Sequence, residues 1–457
     1  MDELLEGIAD VVGAEHVVAG AAVSVDYHHD ESLTATPCAP WAVVRPRRTA
    51  EVAAVARLCD EARVPVVARG SGTGLSGAAV PSESSVLMSF ERMNEILELD
   101  TANHVAVVEP GVTLGQLEGA TEPLGLVYPV FPGELSASLG GNVSTNAGGM
   151  RAVKYGVTRH HVLGLEAVLP SGDVIRTGGK FVKTSTGYDL TQLLVGSEGT
   201  LALVTEATLK LQPRPAHAAT LLAPFAALEE VTAAVPRIVH AGVGPRVLEY
   251  VDALTMAAIT GNVGLDLGIP TDVSQRASAY LVAVLEGVDA DRLDEDVAAA
   301  GILLDSLGAI DVYVLPAHAG AELISAREKA FFVAKAAGAD DIIDVVVPRA
   351  AIPEYMAKVG AIADEYGSLV TGCGHVGDGN IHLSVFQPDA SRRAGLMRAV
   401  YRQGLELGGA ISAEHGIGTA KLDHFLDLED PVKIELMRRI KTVFDPNGIL
   451  NPGKLLG

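Results

Sequence analysis

A glycine-rich run that follows a short strand constrains the fold of this chain more than any other stretch. Residues 65–69 predict a strand, and the run Gly70 to Gly77, GSGTGLSG, comes directly after it. Its glycines match the GxGxxG spacing of a Rossmann dinucleotide site, but that motif must open a helix. Here Pro81 and three serines follow, and the next strand is expected at residues 86–89. The pattern therefore disfavours a Rossmann fold. It leaves a plain glycine turn or a loop whose backbone N–H groups cradle a diphosphate.

Length and charge exclude several classes of protein. A chain of 457 residues is expected to form two or three domains. Its 57 acidic residues outnumber 34 Lys and Arg, and the resulting net charge of -23 would repel nucleic acid and anionic membranes. The apolar runs are short and interrupted by charges, so none predicts a membrane span of about 18 residues. The acidic amino terminus, MDELLEGIADVVG, is unlike a secretory leader, and we expect a cytoplasmic protein.

The three cysteines, Cys38, Cys59 and Cys373, limit the redox chemistry of the chain. An odd number without a CxxC pair provides neither a disulfide framework nor a four-cysteine iron–sulfur cluster. Electrons removed from a substrate must therefore leave to oxygen, a quinone, a cytochrome or a separate redox protein.

Alternating helices and strands are expected up to Pro213 and Pro215, which mark the best domain boundary. We predict a helical lead-in up to about Val25 and a helix that Thr49 caps and that ends near Arg63. Further elements are a strand at 105–109, a helix at 113–122, and strands at 162–169, 173–177 and 207–211.

A second polar segment, residues 131–149, is dense in Gly, Ser, Thr and Asn. These residues offer backbone donors and short hydroxyl or amide groups to a large polar ligand. A surface loop is the alternative, but no charged residue occurs between Ser136 and Met150. An exposed loop has no reason to exclude charges, so the segment favours a binding role.

Two glycine-flanked motifs, CGHVGDGNIHL and ISAEHGIG, indicate a metal-assisted redox centre. They contain four candidate donors, His375, His382, Glu414 and His415. The two histidines of the first motif lie seven residues apart, which would place them on opposite faces of a straight strand, but Gly377 and Gly379 permit a bend. Two imidazoles and one carboxylate leave open positions on a divalent ion. A lone histidine is more often a core or surface group, whereas four donors together favour a site. We do not expect Cys373 to be a ligand.

Six motifs in order resemble a known family. They are RGSGTGLSGAAVP, PGELSASLGGNVSTNAGG with RAVKYG, LVGSEGTLALVTEATLKL, GHVGDGNIH, SAEHGIG and FDPNGILNPGK. Together they resemble the FAD-linked oxidases of the vanillyl-alcohol oxidase and p-cresol methylhydroxylase superfamily. The nearest resemblance is to the branch of D-2-hydroxyacid dehydrogenases, D-lactate dehydrogenases and the glycolate oxidase flavin subunit. It extends from about Pro40 to Lys454.

The resemblance implies an α+β fold with two functional domains. An FAD-binding PCMH-type domain of two α+β subdomains would occupy residues 36–214, after a lead-in at 1–35. A C-terminal FAD-linked oxidase domain, 215–457, would contribute an antiparallel sheet and helices that hold substrate and metal.

The resemblance also assigns residues to FAD. The implied cofactor-binding set is Gly70, Ser71, Gly72, Thr73, Gly74, Leu75, Pro132, Gly133, Ser138, Gly141, Asn142, Thr145, Val204 and Asn451. Some relatives attach the flavin through a histidine in the glycine loop, and this loop has none. We therefore expect non-covalent FAD.

Arg327 is the residue that the resemblance implies for binding the substrate carboxylate, since a guanidinium binds a carboxylate with two parallel hydrogen bonds. The alternative is a solvated helix arginine paired with Glu322 or Glu328. Phe331, Phe332, Asp340 and Asp341 follow it, where the hydroxyglutarate branch has polar and basic groups. This departure disfavours hydroxyglutarate as the substrate.

The implied reaction is the oxidation of a D-2-hydroxy acid, such as D-lactate or glycolate, to the 2-oxo acid by hydride transfer to flavin N5. By resemblance, His375, His382 and Glu414 would bind zinc, with manganese or iron as alternatives, and His415 would be the base. Two other functions remain open: non-redox alkyl transfer, as in alkyl-dihydroxyacetone-phosphate synthases, and a non-catalytic electron-transfer subunit. The oligomeric state is also open, with a homodimer as one option.

Overall fold

The computed structural model describes residues 2–457 and contains two compact units. The first unit consists of three stretches of sequence, the residues up to Ala147, Val157–Arg214 and Glu414–Gly457. The second consists of Gly148–Gly156 and Pro215–Ala413. The predicted division into residues 1–35, 36–214 and 215–457 stays a prediction.

The first unit contains a mixed four-stranded sheet. Its strands are β1 (Val17–Ala19), β2 (Ala42–Val44), β3 (Val66–Arg69) and β4 (Val86–Ser89). Their order is β1-β2-β4-β3, with β4 parallel to both β2 and β3 and with β1 antiparallel to β2. The β2 and β4 side chains are buried along the whole strand, which fits their apolar sequences AVV and VLMS. The glycine run at 70–77 leaves the end of β3.

A five-stranded antiparallel sheet forms the other half of the first unit. Its strands are β5 (Ile96–Asp100), β6 (Val105–Val108), β8 (Val162–Val168), β9 (Val174–Gly178) and β10 (Leu203–Lys210), in the order β5-β6-β10-β8-β9. A two-stranded ribbon joins β7 (Leu126–Val127) to β11 (Gln212–Pro213). The predicted strands are confirmed with small shifts, except that β10 starts four residues earlier than expected.

The helices of the first unit are Asp2–Val12, Thr49–Ala62, Leu114–Thr121, Leu139–Thr145, Leu190–Leu194, Leu422–Leu428 and Pro431–Phe444. The prediction of a helical lead-in up to Val25 is wrong beyond Val12, since Gly13 has φ +92° and β1 follows. The prediction that Thr49 is a helix cap is also wrong. Arg48 is the N-cap residue, and the Thr49 hydroxyl donates to Glu166 Oε1 at 2.6 Å.

The second unit is built on a seven-stranded antiparallel sheet. Its strands are β12 (His217–Phe225), β13 (Val247–Asp252), β14 (Ala279–Gly287), β15 (Tyr313–Leu315), β16 (Asp341–Val346), β17 (Leu369–Gly374) and β18 (Asn380–Phe386), in the order β15-β12-β14-β13-β17-β18-β16. Its helices are Ala152–Tyr155, Leu228–His240, Ala253–Val263, Thr271–Arg276, Ala290–Ser306, Ala317–Glu328, Ala330–Ala336, Ile352–Tyr366 and Ala390–Glu406. This arrangement confirms the predicted antiparallel sheet with helices.

One core of the second unit places the functional strands against two helices. Val251 and Cys373 of neighbouring strands pack in the same apolar cluster as Met256 of helix Ala253–Val263 and Leu323 of helix Ala317–Glu328. The cluster fixes the helix that carries Arg327 against the sheet. Among the described residues, no helix has both the length and the apolar character needed to cross a bilayer.

Candidate functional site

A cleft in the first unit brings together the segments that were predicted to bind FAD. Its volume is about 1240 Å³, counting the part that opens to solvent. The glycine loop, the segment after Pro132, residues 198–204 and Asn451 line it, together with Glu414 and His415. Of the predicted FAD residues, all except Gly133 line the cleft. Gly133 has φ +87°, and its neighbour Glu134 lines the cleft instead.

Neighbouring protein atoms leave no room for a Cβ at three positions of the glycine loop, Gly70, Gly72 and Gly77. A Cβ on Gly70 would lie 1.9 Å from Ser138 Oγ. A Cβ on Gly72, whose φ is +75°, would lie 2.1 Å from Arg69 Nη2. Arg69 cannot move aside easily, because its guanidinium donates to the carbonyl oxygens of His29 at 2.6 Å and Asp26 at 2.7 Å. At Gly70 and Gly72 the backbone therefore packs directly against Ser138 and Arg69, and this close-packed backbone forms the cradle of the loop.

The same loop offers a row of backbone donors. Across the described part of the chain, no hydrogen bond occupies the N–H groups of residues 72–75. Residues 78–85 form turns rather than a helix, which confirms that the loop does not begin a Rossmann helix. Consecutive N–H groups without a helix behind them make an anion-binding nest, and this fits the diphosphate of FAD.

The polar segment after Phe131 contributes a short helix, Leu139–Thr145, which the sequence did not predict. Ser138 caps it by accepting from Gly141 N, and it also accepts from Ser71 N at 3.3 Å. Asn142 is buried, and its Nδ2 has no hydrogen-bond partner within the described chain. A buried amide donor that faces a cleft fits a polar ligand such as FAD.

Glu198 fixes the segment that carries His415. It is buried and accepts the backbone N–H groups of Ile417 and Gly418, each at 2.7 Å. The N–H groups of Thr419 and Ala420 donate to Ser76 O in the glycine loop, at 2.9 and 3.0 Å. Burial raises the pKa of the Glu198 carboxyl, and the two backbone donors oppose that rise. These contacts hold the His415 segment beside the predicted diphosphate loop.

Asn451 closes the same side of the cleft. Its Nδ2 donates to Ala78 O at 3.0 Å and to Glu198 O at 2.7 Å. Its backbone N–H donates to Val66 O at 2.8 Å, so the carboxy-terminal segment joins the edge of β3.

In the second unit, a hairpin brings the two predicted histidine ligands together. His375 follows β17, and His382 lies within β18. Their ring centroids are 4.8 Å apart, at an angle of 80°. Gly379 has φ +99°, and a Cβ there would lie 2.1 Å from Val347 O. The predicted bend at the glycines is therefore confirmed.

Each of these histidines lies beside a carboxylate that is fully buried. Glu249 Oε1 is 2.6 Å from His375 Nδ1, and Asp344 Oδ1 is 3.6 Å from His382 Nδ1. Glu249 and Asp344 are both 0% exposed. Carboxylates that orient imidazoles through Nδ1 are typical of the surroundings of metal-bound histidines. The donor set of this hairpin therefore fits a divalent metal.

Asp344 also organises the irregular segment that leads to Glu414. It accepts from Ser412 Oγ at 2.7 Å and from Asn380 Nδ2 at 3.1 Å. The Ala413 N–H donates to the Asp344 backbone oxygen at 3.0 Å. Glu414, the third predicted metal ligand, is the next residue in the chain.

Arg327 is buried on helix Ala317–Glu328, which excludes the alternative of a solvated helix arginine. Its Nη2 lies 2.7 Å from Glu249 Oε2, so the same carboxylate contacts both Arg327 and His375. The role of Arg327 in binding a substrate carboxylate stays a prediction.

Sequence reasoning assigned no specific role to Glu249, Asp344 or Glu198. The first two are single charges within apolar strands, in VLEYV and IIDVVV. Such a charge is a usable signal, because a carboxylate in a buried strand needs a partner. Cys373 is buried, and burial raises the pKa of its thiol to about 12.

Two family models cover most of the chain. The model described as FAD binding domain matches residues 40–178, and the model described as FAD linked oxidases, C-terminal domain, matches residues 214–455. The chain therefore belongs to the FAD-linked oxidase family and is a flavoprotein of the oxidoreductase class.

Curated relatives are similar in sequence to this chain over almost its whole length. An uncharacterized FAD-linked oxidoreductase of Mycobacterium tuberculosis is 54% identical over 100% of both chains. A D-lactate dehydrogenase of Anaerostipes hadrus is 37% identical over 99% of this chain and 97% of its own. A glycolate oxidase subunit GlcD of Bacillus subtilis is also 37% identical, over 99% of this chain and 96% of its own.

Among solved structures, p-cresol methylhydroxylase with bound substrate has the same fold. Its TM-score is 0.80, with 19% identity over 99% of this chain and 96% of that chain. The α+β fold of the PCMH type is thereby confirmed.

Proposed function

We propose that this protein is an FAD-dependent D-2-hydroxyacid dehydrogenase that converts D-lactate, glycolate or a similar acid to the 2-oxo acid. The observation that carries the proposal is the shared cleft of the first unit. The glycine loop, with its row of unoccupied N–H groups, and His415, the proposed base, line the same cleft. The names of the relatives, D-lactate dehydrogenase and glycolate oxidase subunit, support the substrate class.

FAD would lie in this cleft, with its diphosphate on residues 72–75 and further contacts from Asn142 and Asn451. When bound, the flavin supplies the acceptor for two electrons. We propose that it is held without a covalent bond. Acid precipitation should therefore release all yellow colour into the supernatant, and flavin retained in the pellet would contradict this part of the proposal.

Substrate binding and proton removal are assigned to two side chains. Arg327 would bind the carboxylate of the hydroxy acid through its guanidinium fork, which fixes the α-carbon. His415 would accept the hydroxyl proton on a ring nitrogen, since an imidazole can exchange a proton near neutral pH. The buried surroundings of Arg327 strengthen its attraction for an anion, because water competes less for the charge.

A divalent metal is proposed on His375, His382 and Glu414. The two imidazoles are already paired in the hairpin, and Glu414 follows Ala413, which is hydrogen-bonded to Asp344 beside His382. Zinc is the first choice for this donor set, and manganese and iron are the alternatives. When bound, the ion supplies a Lewis acid that makes the substrate hydroxyl more acidic.

The same proposal extends to the substrate, the electron acceptor and the location of the protein. We propose a small anionic 2-hydroxy acid as substrate and a quinone, cytochrome or separate redox protein as the electron acceptor. We also propose a cytoplasmic location.

The test is anaerobic stopped-flow spectroscopy with a panel of D- and L-hydroxy acids. D-lactate or glycolate should bleach the flavin absorbance of the isolated protein, and L-lactate should not. Failure of every hydroxy acid to reduce a fully loaded protein would favour alkyl transfer or an electron-transfer subunit instead.

A variant refines this test. His415→Ala should slow flavin reduction about 100-fold or more, the usual contribution of a positioned base. The exposed His240→Ala serves as control and should reduce at the normal rate. Normal reduction by His415→Ala would contradict the assignment of the base.

A further inference from the structure

Glu249 on β13 connects two groups that the proposed reaction uses separately. Its Oε1 lies 2.6 Å from His375 Nδ1, and its Oε2 lies 2.7 Å from Arg327 Nη2. The residue is 0% exposed, so neither contact is shared with bulk solvent.

The position of this carboxylate follows from the strand. Glu249 lies between Leu248 and Tyr250, and all three are buried in the sheet. A carboxylate without partners would be costly here, since burial of an unpaired charge is strongly unfavourable. Each oxygen has its own partner, one on the hairpin after β17 and one on helix Ala317–Glu328. Helix and hairpin are therefore tied to each other through one side chain.

We propose that Glu249 is a positioning residue that couples metal binding to substrate binding. The inference rests on the proposed function, in which His375 binds the metal and Arg327 binds the substrate carboxylate. By accepting at Nδ1, Glu249 sets the orientation of the imidazole and leaves Nε2 as its ligand atom. By pairing with Nη2, it sets the direction of the guanidinium fork. The imidazole that binds the metal and the guanidinium that binds the substrate carboxylate are thus held in a fixed geometry.

Chemistry restricts this role to a carboxylate. Glutamine has the same shape but only one acceptor oxygen, and its NH₂ group donates. In Glu249→Gln, either His375 or Arg327 would face a donor in place of an acceptor. A guanidinium has five N–H donors, so its contact with one Glu249 oxygen is compatible with binding a second carboxylate.

The experiment compares full-length, FAD-loaded wild type with Glu249→Gln. Affinities for Zn²⁺ and Mn²⁺ are measured by competition with a chromogenic chelator. KM and kcat are measured for the best D-hydroxy acid with a dye acceptor. Metal affinity should fall about 10–100-fold, the usual effect of losing the group that orients a ligand histidine. KM should rise about tenfold or more, as expected when the buried ion pair that orients the Arg327 guanidinium is disturbed.

A matched control separates coupling from the general effect of losing a buried carboxylate. Glu286 on β14 is buried and pairs with Arg246 at 3.1 Å and Lys154 at 2.9 Å. It makes the same kind of ion pair without contacting His375 or Arg327. Glu286→Gln should leave the metal affinity unchanged. An equal loss in both variants would overturn the coupling role.

A second variant keeps the proposal testable if Glu249→Gln does not fold. Glu249→Asp retains the charge and both oxygens but withdraws them by one methylene, and it should still weaken metal binding about tenfold. If the variant that folds binds metal as tightly as the wild type and has the same KM, the inference is overturned and the proposed function still stands. A wild type that binds neither Zn²⁺ nor Mn²⁺ would overturn both the proposed metal site and this role of Glu249.

Discussion

Gly72 occupies a position where both conformation and space exclude a side chain. Its φ is +75°, and Arg69, which a Cβ would strike, is held by two carbonyl oxygens. Gly72→Ala should therefore release FAD much more readily than wild type, as measured by flavin retained after gel filtration. It should also lose about 1–2 kcal/mol of stability from its backbone conformation.

Gly448→Ala is the control for this prediction. Its φ is +68°, but nothing lies within 4 Å of an added Cβ. It should lose similar stability and keep its flavin. Equal flavin retention in the two variants would contradict the cradle described for the glycine loop.

Alkylation of the cysteine thiols tests whether individual residues are buried. Burial raises the pKa of the Cys59 thiol to about 12, so at pH 8 it stays protonated and unreactive. Cys38 is only partly buried. We expect iodoacetamide at pH 8 to label Cys38 and to spare Cys59 and Cys373, as read by peptide mass spectrometry. Labelling of Cys59 in the folded protein would contradict the packing of helix Thr49–Ala62.

At the residue scale, the sequence predicted the donors but not what orients them. His375 and His382 could be recognised by type and spacing. The partners of Glu249 and Asp344 could not be predicted, because the strands that bury these carboxylates are joined through pairings distant in sequence. β13 pairs with β14 and β17, and β16 pairs with β18. Only those pairings bring each carboxylate to its histidine.

At the element scale, the hairpin between β17 and β18 is the most constrained turn of the site. Gly379 has φ +99°, and its Cβ would lie 2.1 Å from the backbone oxygen of Val347, which cannot rotate away. Gly379→Ala should lower the free energy of unfolding by more than the roughly 1–2 kcal/mol of backbone strain alone. Urea denaturation measures this difference.

Gly338→Ala provides the comparison, since its φ is +89° and nothing lies within 4 Å of an added Cβ. Its loss of stability should be the smaller of the two. The opposite order would show that the hairpin can shift without cost.

Helix Leu139–Thr145 shows why one element escaped prediction. Its sequence, LGGNVST, consists mostly of poor helix formers. The helix forms because Leu139 and Val143 are buried in the main core of the first unit and because Ser138 caps it. Packing overrides local propensity here. In contrast, helix Leu114–Thr121 was predicted within one residue of each end, with Pro123 as the stop signal. In the structure, Thr113 and Gln116 form a capping box at its start.

At the scale of the whole molecule, the net charge of -23 acts against an anionic substrate. We expect kcat/KM for D-lactate to rise as NaCl increases from about 10 to about 150 mM, because salt screens the repulsion. Initial rates with a dye acceptor at constant pH give the measurement. A fall over this range would show that positive charge near Arg327 dominates the approach of substrate.

The assignment of chain segments to the two units was only partly predictable from the sequence. Arg214 ends one stretch of the first unit, and Pro215 begins a stretch of the second. The short stretch Gly148–Gly156 was not assigned to the second unit, because its attachment depends on a distant residue. Lys154 contacts Glu286, which lies on β14. Periodicity along the chain contains no information on such a contact.

The pairing of β3 with the carboxy-terminal segment has a consequence for biosynthesis. Val66 donates to Ile449 and accepts from Asn451, so β3 pairs with residues that are translated much later than β3 itself. During translation the nascent first unit therefore presents an open sheet edge while Pro215–Ala413 is still emerging from the ribosome. The edge is covered, and Asn451 completes the lining of the cleft, only once the segment around Asn451 has been made.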